Sequence, residues 1–114
     1  MPAPTELFKG NAELLILSCL YRCDMHGYRI VRELEDLSEG YFAMREGTLY
    51  PHLHALEREG YIEGYWETGA RGRERKSYRI TDRGRGHLAR KRGVWDEFGS
   101  KVRRVLDAAP EPTG

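Results

Sequence analysis

The spacing of apolar residues along this chain shifts from one period to another, and each shift marks an element. From Asn11 to Tyr21 the run holding Ala12, Leu14, Leu15, Ile16, Leu17, Cys19 and Leu20 is nearly continuous. A helix that is apolar on more than one side has to be covered on more than one side. Its own domain can take one face, which leaves Leu14 and Leu17 as candidates for a long helix or a second subunit. After a turn at Arg22 to Asp24, the segment His26 to Leu37 puts Ile30, Val31, Leu34 and Leu37 on one helical stripe, closed by Ser38-Glu39-Gly40. Tyr41 to Arg45 reads as a short extended piece.

The stretch Gly47 to Gly60 predicts a third helix. At ~100° per residue Leu49, Leu53 and Leu56 fall within a narrow arc that seats it on a core. Gly47, Pro51, His54, Ala55 and Arg58 occupy the opposite arc, with Thr48, Tyr50 and His52 on its flanks. Pro51 lies in the first turn, where a missing amide hydrogen costs little, and Gly60 supplies the left-handed stop. The outer face is slim and polar enough to enter a DNA major groove.

Tyr61 to Glu67 and Lys76 to Ile80 read as two strands joined by a turn over Thr68 to Arg75. Thr81 is a good N-cap for a long final helix. In that helix Leu88, Trp95, Phe98, Val102 and Val105 recur at spacings suited to pairing with another helix. The resulting fold class is α+β, mostly α: a winged helix-turn-helix with a two-stranded wing and a long C-terminal dimerisation helix. The expected divisions are a flexible tail over 1–9, a winged-helix DNA-binding domain over 10–81, the dimerisation helix over 82–107 and a disordered tail over 108–114. In such an arrangement the third helix reads the groove and the hairpin grips the flanking backbone.

Charge sharpens this picture only through its distribution. The 114 residues carry a net charge of only +1, with 32% charged and 39% hydrophobic residues, enough for one modest core. From Arg71 to Arg92, however, ten Lys or Arg stand against Glu74 and Asp82, ten minus two or +8, whereas Glu33 to Glu67 is acidic. A concentrated basic segment either meets phosphates or is a solvated helical face. Arg71, Arg73 and Arg75 at the hairpin tip, with Lys76 at its base, are the candidates for phosphate contact. His26 and Tyr28 open the second helix, where free amides can meet a phosphate.

Other chemistries find little support. No apolar run approaches the ~18 residues of a membrane span and no signal-peptide pattern opens the chain, which points to the cytoplasm. Cys19 and Cys23 lack further ligands at metal spacing and read as plain thiols. His52 and His54 would stand ~200° apart on a helix and cannot share an ion. Ser18, Ser38, Ser77 and Ser100 have no evident activating partner, so an enzyme is not expected, nor a metal or cofactor.

These residues also carry a family resemblance. Lys9-Gly10, His26-Gly27-Tyr28, Gly47-Thr48-Leu49-Tyr50-Pro51 with Leu53, Leu56, Glu57, Glu59-Gly60 and Ile62, then Arg75-Lys76, Tyr78, Ile80-Thr81 and Gly84, resemble the PadR family of bacterial transcriptional regulators over Lys9 to Leu106. The single C-terminal helix is similar to the small PadR subfamily. The resemblance implies a homodimer on a palindromic double-stranded operator, acting as a repressor released by a small aromatic molecule or a stress signal. It implies that Tyr50 hydrogen-bonds a phosphate, that Thr48, His54 and Arg58 approach the bases, and that the wing arginines follow the backbone or enter the minor groove. It places Trp95 where small members bind flat aromatic compounds between subunits, although a tryptophan there can equally be interface packing. The hairpin departs from the common pattern in having Arg73-Glu74 before the basic pair. A winged helix used only for protein association is the alternative reading.

Overall fold

The computed structural model describes residues 3–109. Helix α1 spans Thr5–Arg22, strand β1 Met25–His26, α2 Gly27–Leu37, α3 Glu46–Arg58, β2 Ile62–Thr68, β3 Glu74–Ile80 and α4 Asp82–Ala108. One 3-10 turn, Ala70–Gly72, links β2 to β3. The apolar stripes meet in one core: Ile16, Leu17 and Leu20 of α1, Ile30 and Leu34 of α2, Leu49, Leu53 and Leu56 of α3, and Ile62 and Tyr78 of the sheet are all buried. The three leucines of α3 therefore do what their spacing requires, and Gly60 adopts a φ of 78° to end the helix.

Several boundaries differ from expectation for identifiable reasons. The helix begins at Thr5 rather than beyond residue 9, because Phe8 is buried. Its ring meets His52 edge-on at 5.7 Å and Phe42 at 6.4 Å, which ties the first turns of α1 to the core. At the other end α4 runs to Ala108, the first residue of the tail expected over 108–114, and residues 110–114 lie outside the described residues. The hairpin is longer and its turn shorter than predicted, since pairing continues out to Thr68↔Glu74. The cross-strand ion pair Arg75–Glu67 lies in that extension, and Arg79–Glu63 lies at the base of the hairpin. A two-residue strand not anticipated from sequence, β1, pairs Met25 with Tyr78 and His26 with Ser77, so the antiparallel sheet runs β1-β3-β2.

Two residues expected at a dimer surface belong to the protomer's own interior. Leu17 is 0% exposed and Leu88 is 8% exposed. The first turns of α4 lie on α1 and the sheet, so the lower part of the seam is already satisfied. Beyond Leu88 the helix leaves the body, and Trp95, Phe98, Val102 and Val105 are exposed.

The joint at the base of α4 is closely packed. Thr81 Oγ1 accepts from Gly84 N at 3.0 Å and donates to the Gly60 carbonyl at 2.7 Å, as an N-cap that also holds the end of α3. Gly84 presses on the Tyr61 carbonyl so closely that an added Cβ would lie 2.0 Å from the oxygen and 2.9 Å from Ile80 Cγ1. Gly84→Ala is therefore expected to destabilise the protein by about 1–3 kcal/mol through overpacking, against its gain in helix propensity. Gly93→Ala, where an added Cβ meets nothing within 4 Å, is expected to stabilise by up to ~1 kcal/mol. Urea unfolding midpoints of the two variants should move in opposite directions.

Candidate nucleic-acid interface

Burying Leu49, Leu53 and Leu56 leaves the other side of α3 facing solvent, where Thr48, His54 and Arg58 are exposed and Tyr50 is half-buried. Tyr50 leans on the start of α2. Its hydroxyl approaches Gly27 so closely that a Cβ on that residue would lie 2.9 Å from it. The Gly27 position is thus a seat for the tyrosine ring. Burial, then the charge of Glu46 and a hydrogen bond to it, raises the Tyr50 pKa above its ordinary value, so the hydroxyl keeps its proton.

His26 is the cap of α2, with Nδ1 accepting from Arg29 N at 3.3 Å. That role requires Nδ1 to be unprotonated. Burial, followed by the nearby positive charge of Arg75, lowers its pKa below 6.5 and keeps it in this form. The ring lies parallel to Tyr28 with centroids 6.5 Å apart.

A cleft of about 410 Å³ opens between the start of α2, the outer side of α3 and the sheet. It gathers His26, Tyr28, Tyr50, His54, Arg75 and Lys76 from among the residues expected to contact DNA, and adds Glu46 and Trp66. Thr48 instead borders a smaller hollow with Phe42 and Arg45, while Arg58, Arg71 and Arg73 lie outside both. The basic segment is not one uniform face. Lys76 pairs with Glu57 at 3.0 Å and Arg75 with Glu67 at 3.7 Å, so neither is an uncommitted phosphate ligand. Arg83 lies over the Tyr61 ring at 5.0 Å, where α4 meets the turn before β2, and Arg85 over Tyr21 at 4.8 Å, at the α1–α4 junction. Among the described residues neither Arg71 nor Arg73 takes part in an ion pair, and both are exposed at the hairpin tip.

Trp95, half exposed on α4, lies across Gly99, whose added Cβ would meet the ring at 3.2 Å. Its indole is therefore laid along the helix surface. His52 packs on Phe8, away from His54, and no group of three or more potential metal ligands occurs among the described residues. Cys19 is buried, which pushes its thiol up to about 11, and Cys23 is exposed. No described helix is long and apolar enough to cross a membrane.

No role was expected from sequence for Trp66 or Glu46, and Glu57 entered only as part of the family pattern. For Trp66 a signal existed: it shares strand parity with buried Ile62, which points both toward the α3 side of the sheet. The Glu57–Lys76 pair joins residues 19 apart, beyond any helical or hairpin spacing, and had no local signature.

Residues 16–90 match the family model described as the transcriptional regulator PadR-like family. An uncharacterised protein X of Lysinibacillus sphaericus is 30% identical over 103 residues, covering 90% of this chain and 91% of that protein. The transcriptional regulator YqjI of Escherichia coli is 31% identical over 101 residues, 88% of this chain, and the chain spans only 47% of its length. The crystal structure of a PadR-like transcriptional regulator (BC4206) from Bacillus cereus superposes with a TM-score of 0.78 at 28% identity, covering 90% of this chain and 97% of that one.

The cap at His26 has a pH signature. Its folded pKa lies below 6.5, so the unfolded chain takes up the proton first as pH falls. The contribution is intact above that value and is lost as pH drops from it toward the folded value. His26→Asn keeps a capping oxygen without the titration. Between about pH 7.5 and about pH 5.5 the wild type should lose more stability in urea unfolding than His26→Asn does.

Proposed function

This chain belongs to the PadR-like family of transcriptional regulators, and from that premise we propose that it works as a homodimeric, sequence-specific repressor on a palindromic operator. The observation that carries the reading is the pairing of an exposed, polar α3 face with a tyrosine hydroxyl held at the start of α2. A phosphate at that point would meet the Tyr50 donor and the first amides of α2, with His26 and Tyr28 alongside. Thr48, His54 and Arg58 then face the base edges, and Arg71 and Arg73 take the flanking backbone or minor groove. Arg75 and Lys76 act from within their ion pairs and add less.

A palindromic operator requires two reading helices about one helical turn of DNA apart. The exposed row of Trp95, Phe98, Val102 and Val105 on α4, with half-buried Leu14 of α1, supports a second copy as the element that sets that spacing. Trp95, laid flat over Gly99, offers a plate to a small planar aromatic effector whose binding would release the operator. The same ring would serve as plain interface packing. The family assignment makes the protein a regulator and not an enzyme. A reading as a protein-association module draws on the ion pairs that already occupy Arg75, Lys76 and Arg79.

Binding to duplex DNA from upstream of its own coding sequence, beside unrelated DNA, separates the two readings. The regulator should bind the first selectively and with steep salt dependence. Arg71→Ala with Arg73→Ala should flatten the slope of log affinity against log salt by up to ~3.6, because a dimer then leaves four phosphates unneutralised at ~0.9 each. Absence of duplex binding at low salt by a folded dimer would instead support the association module. Tyr50→Phe should weaken both duplexes alike, by about 1–2 kcal/mol, because a phosphate bond carries no sequence information. Sedimentation of the free protein should give a dimer, which Phe98→Glu breaks.

A further inference from the structure

Among the described residues, strand β2 carries one large side chain, Trp66, that no core packing, hydrogen bond, ion pair or ring contact uses; its other large surface ring, Tyr65, is held by Asp24 and Arg79. Ile62 and Trp66 share a face of the strand; Ile62 is buried, whereas Trp66, roughly 13 Å further out at 3.3 Å per residue, is 66% exposed. Trp66 borders the cleft opposite Tyr50 and His54 of α3. Its placement relative to α3 is fixed from below. Its cross-strand partner Lys76 donates to Glu57 Oε1 at 3.0 Å, and Gly64 N, two residues back along β2, donates to Glu57 Oε2 at 3.2 Å. One carboxylate of α3 thus grips both strands just beneath the indole.

An indole offers a broad apolar face and a single N–H donor. A duplex backbone presents the matching pair, deoxyribose carbons alternating with phosphate oxygens. We propose that Trp66 is a DNA-backbone contact of the wing, packing its ring on a deoxyribose and donating from Nε1 to the adjoining phosphate, beside the groove that α3 enters. The contact positions α3 without reading sequence and without adding charge. Counterions are released only where charge is neutralised, so this contact strengthens binding equally at all salt concentrations. The inference rests on the DNA-binding reading and adds to it a neutral anchor among charged ones.

The test uses the full chain and an arbitrary duplex at low salt, with binding followed by anisotropy of the labelled DNA. Trp66→Ala should lower affinity ~10-fold while leaving the salt slope unchanged, and Trp66→Phe should recover part of the loss. Unlabelled duplex at saturation should change the tryptophan emission of the wild type. That change should vanish in Trp66→Phe, which keeps only Trp95. Undiminished affinity in Trp66→Ala, a flattened slope, or an emission change that persists in Trp66→Phe would each overturn the proposal. Circular dichroism checks the fold, and if Trp66→Ala does not fold, the emission of Trp66→Phe decides. Wild-type protein that binds no duplex at all would bring down the regulator reading and this contact with it. Binding that is intact while Trp66 is silent would bring down the contact alone.

Discussion

Leu49, Leu53 and Leu56 lie in one sealed cluster with Ile30, Leu34, Ile62 and Tyr78. Fully burying a leucine stabilises by roughly 1.5–3 kcal/mol, so rotating α3 about its axis would forfeit several such contributions together. The helix is therefore locked in azimuth, and with it the direction in which Thr48, His54 and Arg58 project. Two further contacts fix its tilt. At the N-terminal end Tyr50 rests on Gly27 of α2, and toward the C-terminal end Glu57 grips β2 and β3. The polar face is displayed by a helix that has almost no freedom to turn it elsewhere.

The same body sorts its cations. A +8 segment looks uniform along the sequence, yet the fold commits Arg75, Lys76 and Arg79 to carboxylates and lays Arg83 and Arg85 on tyrosine rings. Exposed ion pairs contribute little to stability, about 0–1 kcal/mol. Their larger effect here is to neutralise the flank of the wing, so that within the hairpin the uncommitted positive charge is concentrated at Arg71 and Arg73. Arg71 reaches its place through a left-handed backbone, φ 65°, in the turn that carries both.

How much of this was legible in the sequence depended on range. Elements set by local period or capping were visible: the leucine arc of α3, the stop at Gly60, the cap at Thr81 and the hairpin. What depended on residues distant in the chain was not. Phe8 extends α1 because Phe42 and His52 meet it, and β1 exists because β3 offers Met25 and His26 a free edge. Leu17 and Leu88 looked like interface residues because periodicity reports apolar faces but not what covers them; α1 and α4 partly cover each other. The candidate site divided in the same way. Tyr50 and His54 could be placed on α3 from spacing alone, while the seat on Gly27, the commitment of Lys76 to Glu57 and the exposure of Trp66 needed three dimensions.

The end of α3 and the base of α4 meet in one closely bonded joint. Gly60, the residue that ends α3, gives its carbonyl to Thr81, the residue that caps α4. Tyr61, next in the chain, gives its carbonyl to Thr81 N at 3.1 Å and stacks its ring on His87 at 3.9 Å. His87 in turn meets Glu13 of α1 at 2.7 Å. With Gly84 pressed against the Tyr61 carbonyl there is no slack for α4 to pivot without moving the end of α3. Packed interiors respond to such displacements as rigid bodies rather than by smooth deformation. The end of α3 and the start of α4 are thus joined as one rigid unit.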